Sequence, residues 1–393
     1  MRILVTTEHR FVRTPDGATW TQTMFSRRYW DTYLTSFEEV WVAGRCLEVE
    51  RPTDGWLRVD GGPVRVVPVP YYVGPAAFVP AAPAVYRTLA GAVAQVDGAV
   101  IKAPSLLGSV VERLEKRRGR PFAVEVVSDP VDAFAPGAVR HPLRAFFRRW
   151  FARELRRQCS KAAVAAYVTE SALQRRYPPG AGIVASHFSD VELPPAAFAD
   201  APRRVVDRDG PFQLIAVASL SRRYKGIDVA IEAVRRCSDR GLPLEFTVVG
   251  GGRLQAEYEE LAGRLGVADR VRFLGQVTQG PPVRTLLDQA DLFLMPSRTE
   301  GLPRALIEAM ARALPCIGSA VGGIPELLHA DDLVPPSDAG ALARAIAQVA
   351  QEPERRVAMA ARNLNKAQDY SQAHMRQRAE AFYRAFRSVL DAS

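Results

Sequence analysis

The chain has 393 residues, 48% hydrophobic and 24% charged, with a formal net charge of +9. That length is too great for one ordinary core and predicts two domains, and the composition excludes a disordered or fibrous chain. Cys46, Cys159, Cys237 and Cys316 show no CxxC spacing, which argues against a zinc centre or a disulfide framework and suits a reducing compartment.

Short β-rich runs alternate with helical patterns throughout, the rhythm of helices layered on parallel sheets. In the first half the predicted strands are "RILVTT" (2–7), "EVWVAG" (39–44), "VRVVPV" (64–69), "GAVIKA" (98–103), "FAVEVV" (122–127) and "VAAYVT" (164–169). The opening "MRILVTTEH" reads as a first strand and not as a charged-then-apolar leader, so a cytoplasmic location is expected. Repeated prolines break the apolar stretch 63–86, which argues against a membrane-spanning helix there. Within it "PYYVGPAAF" (70–78) reads as a stiffened loop offering Tyr71, Tyr72 and Phe78 as an acceptor surface or as plain packing.

"RHPLRAFFRRWFARELRRQCSK" (140–161) holds eight Lys/Arg against one Glu, and Leu143, Phe146, Phe147, Trp150, Phe151 and Leu155 recur at helical spacing. That is an amphipathic helix with basic flanks: either a core face with solvated arginines or a peripheral contact with anionic membrane. The overall positive charge favours anionic partners without choosing among them, but no helix-turn-helix, zinc module or RNP-like run supports nucleic acid. The Pro-containing stretch 192–212 reads as a linker, dividing the chain into units 1–195 and 196–371, with a terminal helix at 372–393 that packs back on the first unit.

The second half restarts the rhythm with "QLIAVA" (213–218), "EFTVVG" (245–250), "VRFLG" (271–275), "LFLMP" (292–296) and "PCIGS" (315–319). After the fourth of these comes "SRTEGLPRALIEAM" (297–310), with Gly301 for a tight turn and Pro303 at the first helical position. In an open α/β sheet ligands sit beyond the carboxyl ends of the strands, and a helix starting there aims free amides and a positive dipole end at an anion. Glu300 ahead of that seat and Glu308 about two turns inside the helix can both accept hydroxyls, a pattern suited to a sugar nucleotide. The plainer reading makes Glu300 a complement to the helix dipole and Glu308 a surface residue.

This stretch resembles the E-x7-E signature of retaining glycosyltransferases of family 4, and the resemblance extends over the second half. "YKGIDVAIEAV" (224–234) is similar to the family's Lys-Gly segment, and "TVVGGGRLQAEYEELAGRLGVADRVRFLGQV" (247–277) to its glycine turn and base-binding strand. "GLPRALIEAMARALPCIGSAVGGIPELL" (301–328) continues to a Gly-Gly-x-Pro-Glu turn. The resemblance implies an α/β GT-B fold, two Rossmann-like domains whose parallel sheets face across a deep cleft. It implies transfer of a hexose-type sugar from a nucleoside diphosphate, UDP by family habit, to a hydroxyl of a small-molecule, lipid or glycan acceptor. It further implies that Glu300, with the amides of Gly301, Leu302 and Arg304, binds the donor sugar. Glu308 would grip the ribose, Lys225 neutralise the diphosphate, and Gly275, Gln276 and Val277 present backbone to the base. Gly250–Gly252 and the Gly322–Gly323 pair are expected to be structural turns, with close approach to the donor as the alternative.

The chain departs from the family pattern in two places. A familiar arginine is replaced by Ser219, so Arg222 and Arg223 are the expected sources of that charge, unless both face solvent. A familiar histidine near the reacting carbon is replaced by Ser128 and Asp129; Asp129 either orients the acceptor hydroxyl or caps the next helix. His9 and His187 are the remaining imidazole candidates, and Gly17 either approaches the diphosphate or makes a tight turn. With no D-x-D pair after a strand, no metal is expected, and no cofactor beyond the donor, since G-x-G-x-x-G and P-loop patterns are missing. A sugar-nucleotide hydrolase and a non-enzymatic basic module are the competing readings.

Overall fold

The computed structural model describes residues 1–134, 141–191, 193–204 and 210–393, the side chain of Pro75 excepted. Parts of the expected linker and Arg140 of the basic segment lie outside those residues. Two α/β units are built on separate sheets. The first contains β1 (Arg2–Arg13), β2 (Thr19–Thr21), β3 (Glu39–Glu48), β4 (Leu57–Arg58), β5 (Val64–Pro70), β6 (Gly98–Ala103), β7 (Phe122–Val126), β8 (Val164–Tyr167) and β9 (Val184–His187). Seven of these run parallel in the order β5-β3-β1-β6-β7-β8-β9, while β2 and β4 add an antiparallel extension to the far end of β1. β6 is buried along its whole length and β7 likewise, as strands covered by helices on both faces must be.

The second sheet is wholly parallel: β10 (Phe212–Val217), β11 (Leu244–Val249), β12 (Val271–Phe273), β13 (Leu292–Met295), β14 (Cys316–Ser319) and β15 (Leu333–Val334), in the order β12-β11-β10-β13-β14-β15. Apolar clusters fill both of its faces, with Phe246 and Ile231 in one and Phe293 and Met310 in the other. The chain crosses between units twice at one place, where Leu193 exchanges backbone hydrogen bonds with Tyr370 and Gln372. The terminal helix Gln372–Asp391 then lays Phe382, Tyr383 and Phe386 into the core of the first unit beside Trp30 and Phe37. A buried polar knot fixes it: Tyr33 and Tyr383 each donate to Glu125 at 2.9 Å, and Lys102 pairs with the same carboxylate.

Two local expectations fail for physical reasons. β1 does not stop at Thr7: a register shift between Thr6 and Arg10 absorbs the irregular segment and the strand runs on to Arg13. Residues 70–78 are not a loop throughout, because a helix starts at Gly74 and continues to Val93 through Pro80 and Pro83. Its alanine content and the burial of Val85, Leu89 and Val93 offset the hydrogen bonds those prolines remove. Among the described residues this is the one helix long and apolar enough, by length and composition, to cross a membrane (Ala76–Val93). Of the three aromatic residues, Tyr72 is buried, Phe78 partly buried and Tyr71 exposed.

Candidate active site

Three loops at the carboxyl ends of β10, β13 and β14 converge on Glu300. Lys225 lies in a 3-10 turn after β10 and its Nζ sits 2.6 Å from Glu300 Oε1. The same oxygen accepts the Ser297 hydroxyl at 2.7 Å. Glu300 is only 9% exposed, so it is a held carboxylate and not a mobile surface acid. Two glycines make the convergence possible. Gly226 has φ +68° and packs so closely that a Cβ would lie 1.9 Å from the Pro296 carbonyl oxygen. Gly322 has φ +54° and a Cβ there would lie 1.7 Å from the Glu300 carbonyl oxygen, while Gly323 N–H donates to the Gly301 carbonyl at 2.8 Å.

Arg298, which the sequence reading passed over, locks the Lys225 loop to the Glu300 loop. Its amide donates to the Tyr224 carbonyl at 2.7 Å, and its guanidinium reaches the Arg223 carbonyl at 2.8 Å. The same guanidinium makes a bidentate pair with Asp228 at 2.9 and 2.7 Å. Arg222 lines a cavity of about 220 Å³ together with Tyr224, Thr299 and Glu300, whereas Arg223 turns away to pair with Glu257. Ser219 contacts Ser221 at 3.2 Å in an exposed loop.

The helix after Glu300 runs Arg304–Ala311, with Pro303 as its cap residue. Glu308 therefore sits one turn inside it and not two, and is engaged by Arg304 Nε at 2.9 Å. Both line a cavity of about 250 Å³ with Gln279, Gly280 and Val283. Gly275, at φ +66°, accepts the Gly250 amide at 2.8 Å, Gln276 follows, and Val277 is partly buried against the core. Gly250 and Gly252 are packing positions: a Cβ would come within 2.1 Å of the Ala218 carbonyl oxygen and 2.3 Å of the Leu220 carbonyl carbon.

The first unit faces this cluster across a cleft cavity of about 520 Å³ lined by Asp129, Asp132, Thr169 and Arg176 on one side and Thr299, Glu300 and Gly322 on the other. Both oxygens of Asp129 are engaged. It caps the short helix Pro130–Ala133 through the Val131 amide at 2.8 Å, accepts the Tyr177 hydroxyl at 2.6 Å and pairs with Arg176. Gly17 sits in the hairpin turn between β1 and β2, its amide donating to Thr14 at 2.9 Å, so its positive φ serves that turn. His9 hydrogen-bonds Thr21 at 2.9 Å and packs on Phe11 and Phe25. Burial, then the charges of Arg10 and Arg45, lower its pKa to about 4, so it is neutral near pH 7. Burial, aided by Arg378, also lowers that of His187 at the end of β9.

Glu326 is a second residue missed from sequence. It projects from the turn Ile324–Leu327 and caps the first unit's helix Ala172–Arg176, accepting the Glu170 amide at 2.7 Å, the Ser171 amide at 2.8 Å and the Ala172 amide. Four residues upstream in the same segment, Gly322 abuts Glu300, so one stretch of chain both shapes the site and ties the units together. Its place in the Gly-Gly-x-Pro-Glu turn was the available signal; nothing local identifies its partner more than 150 residues away. Among the described residues no group of three His, Cys, Asp or Glu side chains is placed to hold a metal.

Two parallel-sheet units with a cleft between them define the GT-B class of fold. Residues 211–352 match the family model for glycosyl transferases group 1, which makes the chain a transferase by its second unit. The chain is 25% identical over 325 residues to Protein CapJ of Staphylococcus aureus, covering 82% of this chain and 80% of that protein. It is 38% identical over 150 residues to the amylovoran biosynthesis glycosyltransferase AmsK of Erwinia amylovora, a match spanning only 36% of each chain. The Anabaena HepE structure, solved with UDP and glucose, superposes with a TM-score of 0.65 at 16% identity over 96% of this chain and 97% of that one.

Proposed function

We propose that the chain moves a hexose-type sugar from a nucleoside diphosphate, with uridine as the base, to a hydroxyl of a small-molecule, lipid or glycan acceptor, keeping the anomeric configuration. The observation that carries this reading is the Lys225–Glu300 pair before the helix Arg304–Ala311, whose carboxylate residue lines the cleft. A lysine and a carboxylate held together at 2.6 Å are each other's stand-in ligands. When a donor enters, the ammonium meets the diphosphate and the carboxylate receives sugar hydroxyls, so both charges stay compensated. Lys225, Arg222 and the helix start supply the positive field, and no metal is required. The UDP and glucose of HepE support the choice of donor. A thermal-shift panel of nucleoside diphosphates and their sugars tests it. At a hundredfold excess over Kd a ligand stabilises the fold by about 2.7 kcal/mol, so UDP and UDP-sugars are expected to raise Tm by several degrees. A panel without effect contradicts the reading.

The same reading places the enzyme in the cytoplasm, resting on the inner membrane surface. In the helix Arg144–Lys161 only Leu155, Gln158 and Cys159 are buried, while Leu143 and Phe146 are 56% and 58% exposed beside Arg148, Arg149 and Arg153. Exposed apolar and basic groups together suit an anionic bilayer. Flotation with acidic-lipid vesicles is expected to carry the protein, salt-sensitively, and to fail for the Phe146→Ser, Arg149→Ser variant. Equal flotation of the variant, or none of the wild type, removes the membrane contact.

A further inference from the structure

Two carboxylates one helical turn apart face the cleft from the first unit, and their surroundings differ. Asp129 is consumed by Val131, Tyr177 and Arg176. Asp132 lies in the first turn of the same short helix, and its nearest cation, Arg176, is 3.8 Å away, beyond hydrogen-bonding range. It lines both cavities that contain Glu300. From the opposite unit Thr299 lines the same two cavities. Burial, and then the charge of Asp129, push its carboxyl above the ordinary carboxylate range, against the opposing pull of Thr299, Arg176 and Arg148. Arg222 and Glu300 face it across the smaller cavity.

We propose that Asp132, and not Asp129, is the carboxylate that receives the acceptor hydroxyl, in the place where this chain lacks an imidazole. The inference rests on the transferase reading. The acceptor oxygen forms a bond to the anomeric carbon, and the bond from that carbon to the diphosphate oxygen breaks with its electron pair. The acceptor's proton passes to that departing oxygen on the same face of the sugar. Asp132 stays ionised throughout, holding the hydroxyl by a hydrogen bond and directing its oxygen at the carbon. A side chain that fixes the orientation of the reacting group without taking its proton contributes on the order of 10²-fold.

The sign of the pH dependence follows from the charge state. The ionised carboxyl holds the hydroxyl by the stronger, charge-assisted hydrogen bond, so activity falls as pH drops through a pKa raised above the usual range. UDP release from UDP-glucose is measured with water alone and with octyl glucoside as the probe acceptor, across pH, alongside the UDP thermal shift. Asp132→Asn is expected to lower the rate about 100-fold, abolish the acid limb and leave the UDP shift intact. Asp129→Asn is expected to lower Tm and move the acid limb to lower pH, because a neighbouring negative charge is removed. A wild-type rate and acid limb in Asp132→Asn, with UDP still stabilising the protein, overturns the assignment and leaves the donor reading standing. A wild type that neither binds nor consumes any sugar nucleotide overturns both.

Discussion

Lys225→Ala and Glu300→Gln are each expected to lower turnover about 10²–10³-fold while leaving a cooperative melt. That range is the usual loss when one fixed group stabilising developing charge is removed. Glu300→Gln is the cleaner variant, since the amide keeps the side chain's shape and can still accept the Ser297 hydroxyl now 2.7 Å from Oε1. Lys225→Ala leaves Glu300 with Ser297 alone, in a site bordered by the open cleft. Because the two residues act as one unit, the double variant is expected to be little worse than the poorer single one. Steady-state kinetics on UDP-sugars checks this. Near-normal rates in either single variant contradict the assigned roles.

Gly322→Ala is expected to be the most damaging small substitution in the site. The new methyl group meets backbone, the Glu300 carbonyl oxygen at 1.7 Å, and not the movable end of a side chain. The residue also sits at φ +54°, which an L side chain adopts at a penalty of about 1–2 kcal/mol. Overpacking adds about 1–3 kcal/mol, so the total is roughly 2–5 kcal/mol and Tm falls by about 5–15 °C. Relief of the clash pushes the Glu300 loop away from Lys225, so turnover falls more steeply than stability alone explains. A melt and rate like the wild type would show that the loop yields freely. Gly301→Ala is the control: a Cβ there meets nothing within 4 Å.

The fold class was legible because its signals are local and repeated. β6 occupies the residues read as "GAVIKA", and all five predicted second-half strands start within one residue of their expected positions. What escaped were elements decided by distant partners. β15 is two residues long and exists because β14 offers an edge. β1 runs on to Arg13 because β3 and β2 pair with its far end. The helix Gly74–Val93 overrides Pro80 and Pro83 by burying one face, which proline counting cannot foresee.

The site divided along the same line. The E-x7-E spacing pointed to Glu300 and Glu308 because both lie in one contiguous stretch, the first in the loop and the second one turn into the helix Arg304–Ala311. The Lys225–Glu300 pair joins residues 75 apart, and the close backbone contacts of Gly226 and Gly322 that bring the loops together are visible only in three dimensions. Asp129 drew attention by standing in a familiar place. Asp132 went unnoticed because only the capping of one acid shows that the other is available.

Calorimetric titration of UDP into the wild type and Lys225→Ala tests most directly whether the cleft is a diphosphate seat. One saturable site in the wild type, weakened at least tenfold in the variant, a loss of about 1.4 kcal/mol, is the expected result. Equal affinity in both proteins, or no binding in either, would contradict it.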